Sequence, residues 1–135
     1  MGYNLFLDDK FTPTQIADLP NVSVKDKVRY RTYNWKIVTT FEEFIAIVEE
    51  KGRPDIVSFD HDLDEEHWEF VYNDDNWAKI DDEVIIDYDL FKVKTGYHCA
   101  EWLMEFCADR HIEMPICLVH SQNAVGKKNI ENLLF

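Results

Sequence analysis

An α/β fold with a mostly parallel, four-stranded core is the architecture this sequence predicts, and three observations predict it. Short β-branched apolar runs alternate with helical stretches, the pattern of right-handed crossover units. One such unit, Trp35 to Phe59, reads as strand, capped helix and strand in unbroken succession. Three of the runs also end in titratable or polar residues, Asp8-Asp9, Asp60-His61-Asp62 and His120-Ser121, at the edge where open sheets place ligand chemistry.

Taken in order, Asn4-Leu5-Phe6-Leu7 is a first buried strand with carboxylates at its exit. Thr12-Pro13 opens a turn, and Gln15 to Leu19 suit one short helical turn before Pro20-Asn21. Val28, Tyr30 and Thr32 alternate as in an edge strand, so no full crossover helix is expected before the second strand, Trp35 to Thr39. Thr40 with Glu43 three residues later forms a capping box, and Phe41, Phe44, Ile45 and Val48 make one apolar helical face. Gly52 and Pro54 stop that helix before Ile56 to Phe59, the third strand. Thr95-Gly96 leads into a helix through Arg110, with Ala100, Leu103, Met104 and Cys107 on one face. Ile116 to Val119 is the fourth strand, and a short helix using Ile130, Leu133 and Leu134 closes the chain.

Residues 64–94 interrupt this order. Trp68, Phe70 and Tyr72 alternate, Val84-Ile85-Ile86 is β-like, and Asn73 to Asn76 is turn material, so a hairpin-like insertion is expected. The formal charge of −13 is concentrated here: residues 60–89 carry a net −12. That balance argues against binding duplex nucleic acid, whose phosphates require cations. It leaves a solvated face or a protein-partner surface at 60–89 as readings of the acidic run. The 135 residues suit a single domain, 1–135, with the insertion inside it. No apolar run reaches membrane-spanning length and no secretory signal is visible. Cys99, Cys107 and Cys117 lack metal-binding spacing and read as core thiols, consistent with a cytoplasmic setting.

Parallel strands exit on one sheet edge, so the three polar exits converge although they are distant in sequence. Asp8, Asp9, Asp60 and Asp62 offer the hard oxygens that suit Mg²⁺ or Mn²⁺. His61 and His120 titrate near neutrality, which suits a general acid and base. Lys127 and Asn123, with the helix N-termini near Thr95 and Gly126, offer contacts for phosphate oxygens.

The segments Leu5 to Asp9, Ser58 to Leu63, Thr95-Gly96-Tyr97 and His120 to Gly126 together resemble the cyclic-phosphate-processing receiver-like domain family, a divergent offshoot of the response-regulator receiver fold. The resemblance implies a flavodoxin-like three-layer sandwich, truncated relative to the five-stranded receiver, with the third and fourth strands adjacent and the two histidines across one groove. It implies a metal-assisted phosphoesterase that opens a small cyclic phosphate, of nucleotide or ADP-ribose type. By position, Asp8 and Asp9 match the cation-holding pair, Asp60 the phospho-acceptor and Ser121 the hydroxyl that ends the fourth strand. The fifth strand and its lysine have no counterpart here, and Phe11 stands where the family carries an arginine, with Lys10 beside it as the substitute phosphate contact the resemblance implies. The competing readings are a non-catalytic receiver that accepts phosphate on Asp60, and an acidic interaction or mimic protein acting through residues 60–89.

Overall fold

The structure is a computed structural model that describes residues 2–64, 78–80, 83–85, 88 and 91–135. Four strands, β1 (Asn4–Leu7), β2 (Trp35–Val38), β3 (Ile56–Phe59) and β6 (Ile116–Val119), form an all-parallel sheet in the order β2-β1-β3-β6. The third and fourth strands of the core are therefore neighbours, as expected. A separate antiparallel pair, β4 (Ala78–Ile80) with β5 (Glu83–Ile85), lies in the acidic insertion. The insertion therefore does hold an antiparallel pair, but the partner seen for the β-like Val84-Ile85 run is Ala78–Ile80, which the sequence did not single out; the arm expected at Trp68 to Tyr72 and the turn at Asn73 to Asn76 lie outside the described residues.

Helices cover both faces. α1 (Pro13–Ala17) and α2 (Val24–Thr32) pack on one face through Ile16, Ala17 and Tyr30 against Phe6 and Leu118. α3 (Phe41–Lys51), α4 (Gly96–Asp109) and α5 (Ala124–Leu134) close the other face. Phe44, Val48, Leu103, Phe106 and Ile130 meet Leu5, Leu7, Val57 and Phe59 there. The result is the three-layer α/β sandwich that the sequence predicts.

Two local expectations are corrected. The segment expected as an edge strand through Val28, Tyr30 and Thr32 is α2, opened by Ser23, whose Oγ accepts the Asp26 N–H at 3.2 Å. Its apolar residues do not share one face: Val24 and Val28 are 79% and 53% exposed, and of the helix only Tyr30 is buried. The helical period is therefore missing from the sequence. At α3, Thr40 Oγ1 accepts the Glu43 N–H at 3.1 Å, but the Glu43 carboxylate turns to Thr39 Oγ1 at 2.7 Å, so only half of the capping box forms.

Strand alternation positions the site. Pairing continues one residue past each strand, with the N–H groups of Asp8, Asp60 and His120 donating to Val38, Leu7 and Phe59 carbonyls at 3.0, 3.0 and 2.9 Å. Side chains alternate between faces along an extended chain. Phe6, Ser58 and Leu118 stand in register on the α1–α2 face. Asp8, Asp60 and His120, each two residues on, continue that face. His61 is one residue out of phase and turns toward α5.

Candidate active site

At the strand exits a cavity of about 290 Å³ is lined by Asp8, Asp9, Lys10, Phe11, Asp60, Asp62, Asp64, His120, Gln122 and Asn123. The volume is near the lower limit of small-molecule sites, about 300 Å³, which favours a small ligand. Five carboxylates meet a single lysine in this lining. One oxygen of Asp8, one of Asp60 and one ring nitrogen of His120 all lie within 4.8 Å of one another.

Asp8 is held firmly. Its Oδ1 accepts the Lys10 and Phe11 N–H groups at 2.8 and 2.9 Å, and its Oδ2 lies 3.0 Å from His120 Nε2. The His120 ring stacks on Phe6 with centroids 4.4 Å apart. Its Nδ1 is 2.6 Å from Ser58 Oγ, which is 2.7 Å from Tyr30 Oη. Burial lowers the His120 pKa below the usual 6.5, partly offset by Asp8. Burial also raises the Asp60 pKa well above the usual carboxyl range, and the charges of Asp8 and Asp62 push it further in the same direction. Asp9 is raised as well, by burial and then by Asp8. These carboxyls crowd one another in a site where a proton or a cation lowers the energy.

His61 has a different setting. It is fully buried, with Nδ1 at 2.7 Å from Asp62 Oδ1 and Nε2 at 2.9 Å from Tyr88 Oη. Asn129 Nδ2 donates to Tyr88 Oη at 3.0 Å, and the Tyr88 ring stacks on Tyr97 at 4.2 Å. Two glycines admit this packing. A Cβ at Gly126 would collide with the His61 ring, and one at Gly96 with the Asp60 carbonyl. The expectation that the two histidines face each other across one groove is therefore corrected: His120 lines the cavity, while His61 lies behind Asp62.

A family model described as the cyclic-phosphate processing receiver domain matches residues 3–76 and 65–135, two stretches that overlap in the acidic insertion. The chain belongs to this family. Searches of curated proteins and of solved structures found no significant match.

Within this cyclic-phosphate processing receiver domain, the cavity brings together Asp8, Asp9, Asp60, Asp62, His120, Lys10 and Asn123. Asn123 also caps α5, accepting the Gly126 N–H at 3.0 Å, and donates to Asp62 at 3.2 Å. Ser121 accepts the Asn123 N–H at 3.1 Å and hydrogen-bonds Asp60, which lowers the Asp60 pKa against the larger upward effects. Thr95 and Lys127 are not on this lining. Thr95 is fully buried on His98 Nδ1, and the Gly96 N–H donates to the His61 carbonyl at 2.8 Å, so the first N–H groups of α4 are already engaged. Lys127 lines a second cavity, about 430 Å³, between the α1–α2 connection and the start of α5.

Tyr30, Ser58, Tyr88 and Asn129 were not among the site residues expected from the sequence. Ser58 had a signal, a hydroxyl inside the apolar run Ile56-Val57-Ser58-Phe59. Tyr30 was masked by the strand-like alternation of α2.

Proposed function

We propose that the protein hydrolyses a small cyclic phosphate in the Asp8–Asp60–His120 cavity with the help of a divalent cation. The observation that supports this most directly is the close grouping of Asp8, Asp60 and His120, within 4.8 Å, in a member of the cyclic-phosphate processing family. The donor set fits Mg²⁺ or Mn²⁺: Asp8 and Asp60, with Asp9 beside them, present hard oxygens, and the crowding that raises Asp60 is what a cation relieves. Such a cation, when bound, neutralises phosphate charge and polarises the bonds to phosphorus.

The chain's residues supply the rest. Water attacks phosphorus, one ring P–O bond breaks, and the product is an open phosphomonoester with a new hydroxyl. The attacking water must lose a proton and the leaving alkoxide must gain one. Asp62 lines the cavity with His61 directly behind it, so its carboxylate oxygen takes the water proton and returns it to the leaving oxygen. His120, on the same face of the sheet as Asp8, holds that carboxylate in place. Lys10 and Asn123 line the same cavity and meet the phosphate oxygens.

The test is a panel of small cyclic phosphates with Mg²⁺ or Mn²⁺, run with and without chelator. Ring opening that needs the cation and falls in Asp60→Asn and Asp62→Asn supports the reading; no turnover on any member of the panel rejects it.

A further inference from the structure

Two hydrogen-bond lines, one buried and one part-buried, end on the two histidines, and their protons can be counted. In the first, the Tyr30 hydroxyl is 3% exposed and its partner among the described residues is Ser58 Oγ, so Tyr30 donates to Ser58. The Ser58 hydroxyl, having accepted that bond, donates its own proton to His120 Nδ1. A nitrogen that accepts carries no proton, so the proton of a neutral His120 sits on Nε2, where the Asp8 carboxylate accepts it.

In the second line, the Asn129 amide nitrogen can only donate, and it donates to Tyr88 Oη. Tyr88 passes its proton toward His61 Nε2, which therefore accepts. Asn123 Nδ2 lies 3.4 Å from His61 Nδ1 and 3.2 Å from Asp62 Oδ1; with its hydrogen on the nearer carboxylate oxygen, the His61 proton lies on Nδ1, facing the same Asp62 Oδ1 at 2.7 Å.

We infer that these two lines lock the histidines in opposite tautomers, His120 protonated on Nε2 toward Asp8 and His61 protonated on Nδ1 toward Asp62, which makes Tyr30, Ser58 and Tyr88 positioning residues. Neither ring offers the cavity a bare nitrogen. His120 is thus an outer partner that orients the cation-binding Asp8 and is not itself a ligand, while His61 orients Asp62. The tautomers follow from the hydrogen-bond geometry alone; their catalytic meaning rests on the hydrolase reading above.

Nitrogen-15 labelling of the histidines, with two-bond proton–nitrogen correlation spectra at neutral pH, reads the tautomers directly in the full chain. Signals are assigned by their loss in His61→Gln and His120→Gln. The wild type is expected to show an Nε2–H pattern for His120 and an Nδ1–H pattern for His61; the reverse pattern, a mixture, or double protonation of either ring overturns the inference. Ser58→Ala should release His120 alone and weaken Mn²⁺ binding, measured by calorimetry, about tenfold, the lower end of the range for an outer partner of a metal ligand. Tyr88→Phe should release His61 alone and leave Mn²⁺ binding within about twofold, since Asp62 is one carboxylate removed from the Asp8–Asp60 pair. If Ser58→Ala alters neither the His120 signal nor the Mn²⁺ affinity, the positioning role fails. Should the tautomers hold while no cyclic phosphate is opened, the hydrolase reading fails and the hydrogen-bond assignment stands.

Discussion

His61 and His120 make an instructive pair. Both are buried, both follow a core strand, and both engage a carboxylate that lines the same cavity. They differ by one step of strand alternation. His120 is two residues beyond Leu118 and shares the α1–α2 face with Asp8 and Asp60; His61 is two beyond Phe59 and shares the α3–α5 face. One histidine consequently supports the proposed cation side of the site and the other its proton-transfer side. Residue type alone makes them look equivalent, and the period of two along a strand separates them.

The strongest way to break this comparison is to remove each partner in turn. Asp62→Asn should lower kcat by about 10²- to 10⁴-fold, the usual contribution of a positioned proton-transfer group, with Mn²⁺ affinity little changed. His120→Gln should instead weaken Mn²⁺ binding about 10- to 100-fold, as loss of an outer partner does. Steady-state kinetics beside calorimetry separates the two outcomes, and equal effects of both variants on both quantities would erase the distinction.

A second prediction tests the packing behind His61. Gly126→Ala places a Cβ against the imidazole ring, and the expected cost is about 1–3 kcal/mol of stability in urea unfolding, typical of an overpacked interior. A cost near zero would mean that His61 has room to move, contrary to its complete burial.

The pH dependence of the cavity gives a third, through linkage. Asp60 has a folded pKa raised well above its unfolded value. The unfolded chain therefore releases this proton first as pH rises, and stability from this group, full below the unfolded pKa of about 3.8, is lost as pH climbs through the folded value. Without a cation, Asp60→Asn should raise the Tm at about pH 7 and lose that advantage toward about pH 4, where the native carboxyl is protonated. His120 works in the opposite sense. Its lowered folded pKa gives stability above about 6.5 that is lost as pH falls through the folded value, so His120→Gln should flatten the acid side of the same Tm curve. A wild-type cation titration completes the set: metal at about 100 times its Kd should add about 2.7 kcal/mol, and Asp60→Asn should remove that gain.

The smallest expected effect is at Tyr88→Phe. Losing one hydroxyl that hydrogen-bonds Asn129 and His61 should cost about 1 kcal/mol, since the ring stack on Tyr97 survives.

Much of this molecule is legible without coordinates. The four core strands, α3 with its Thr40 cap and the three polar strand exits follow from short apolar runs, stop signals and spacing, because buried parallel strands leave an uninterrupted hydrophobic trace. The alternation that parts His61 from His120 was available as well, since counting from Phe59 and Leu118 assigns each to a face. Helix α2 was not legible: its valines point to solvent, and Tyr30 alone carries its packing.

What the sequence by itself determined is the sheet, its order of elements and the set of chemical groups at one edge, because these depend on local period and on parallel topology. Which groups share a cavity was decided by tertiary structure. Tyr30 finds Ser58 across 28 residues, His120 finds Asp8 across 112, and Asn129 finds Tyr88 across 41. These bonds are made between elements, where a hydroxyl, an imidazole and a carboxylate leave no periodic trace in the chain and declare their roles only through the partner each one is left facing.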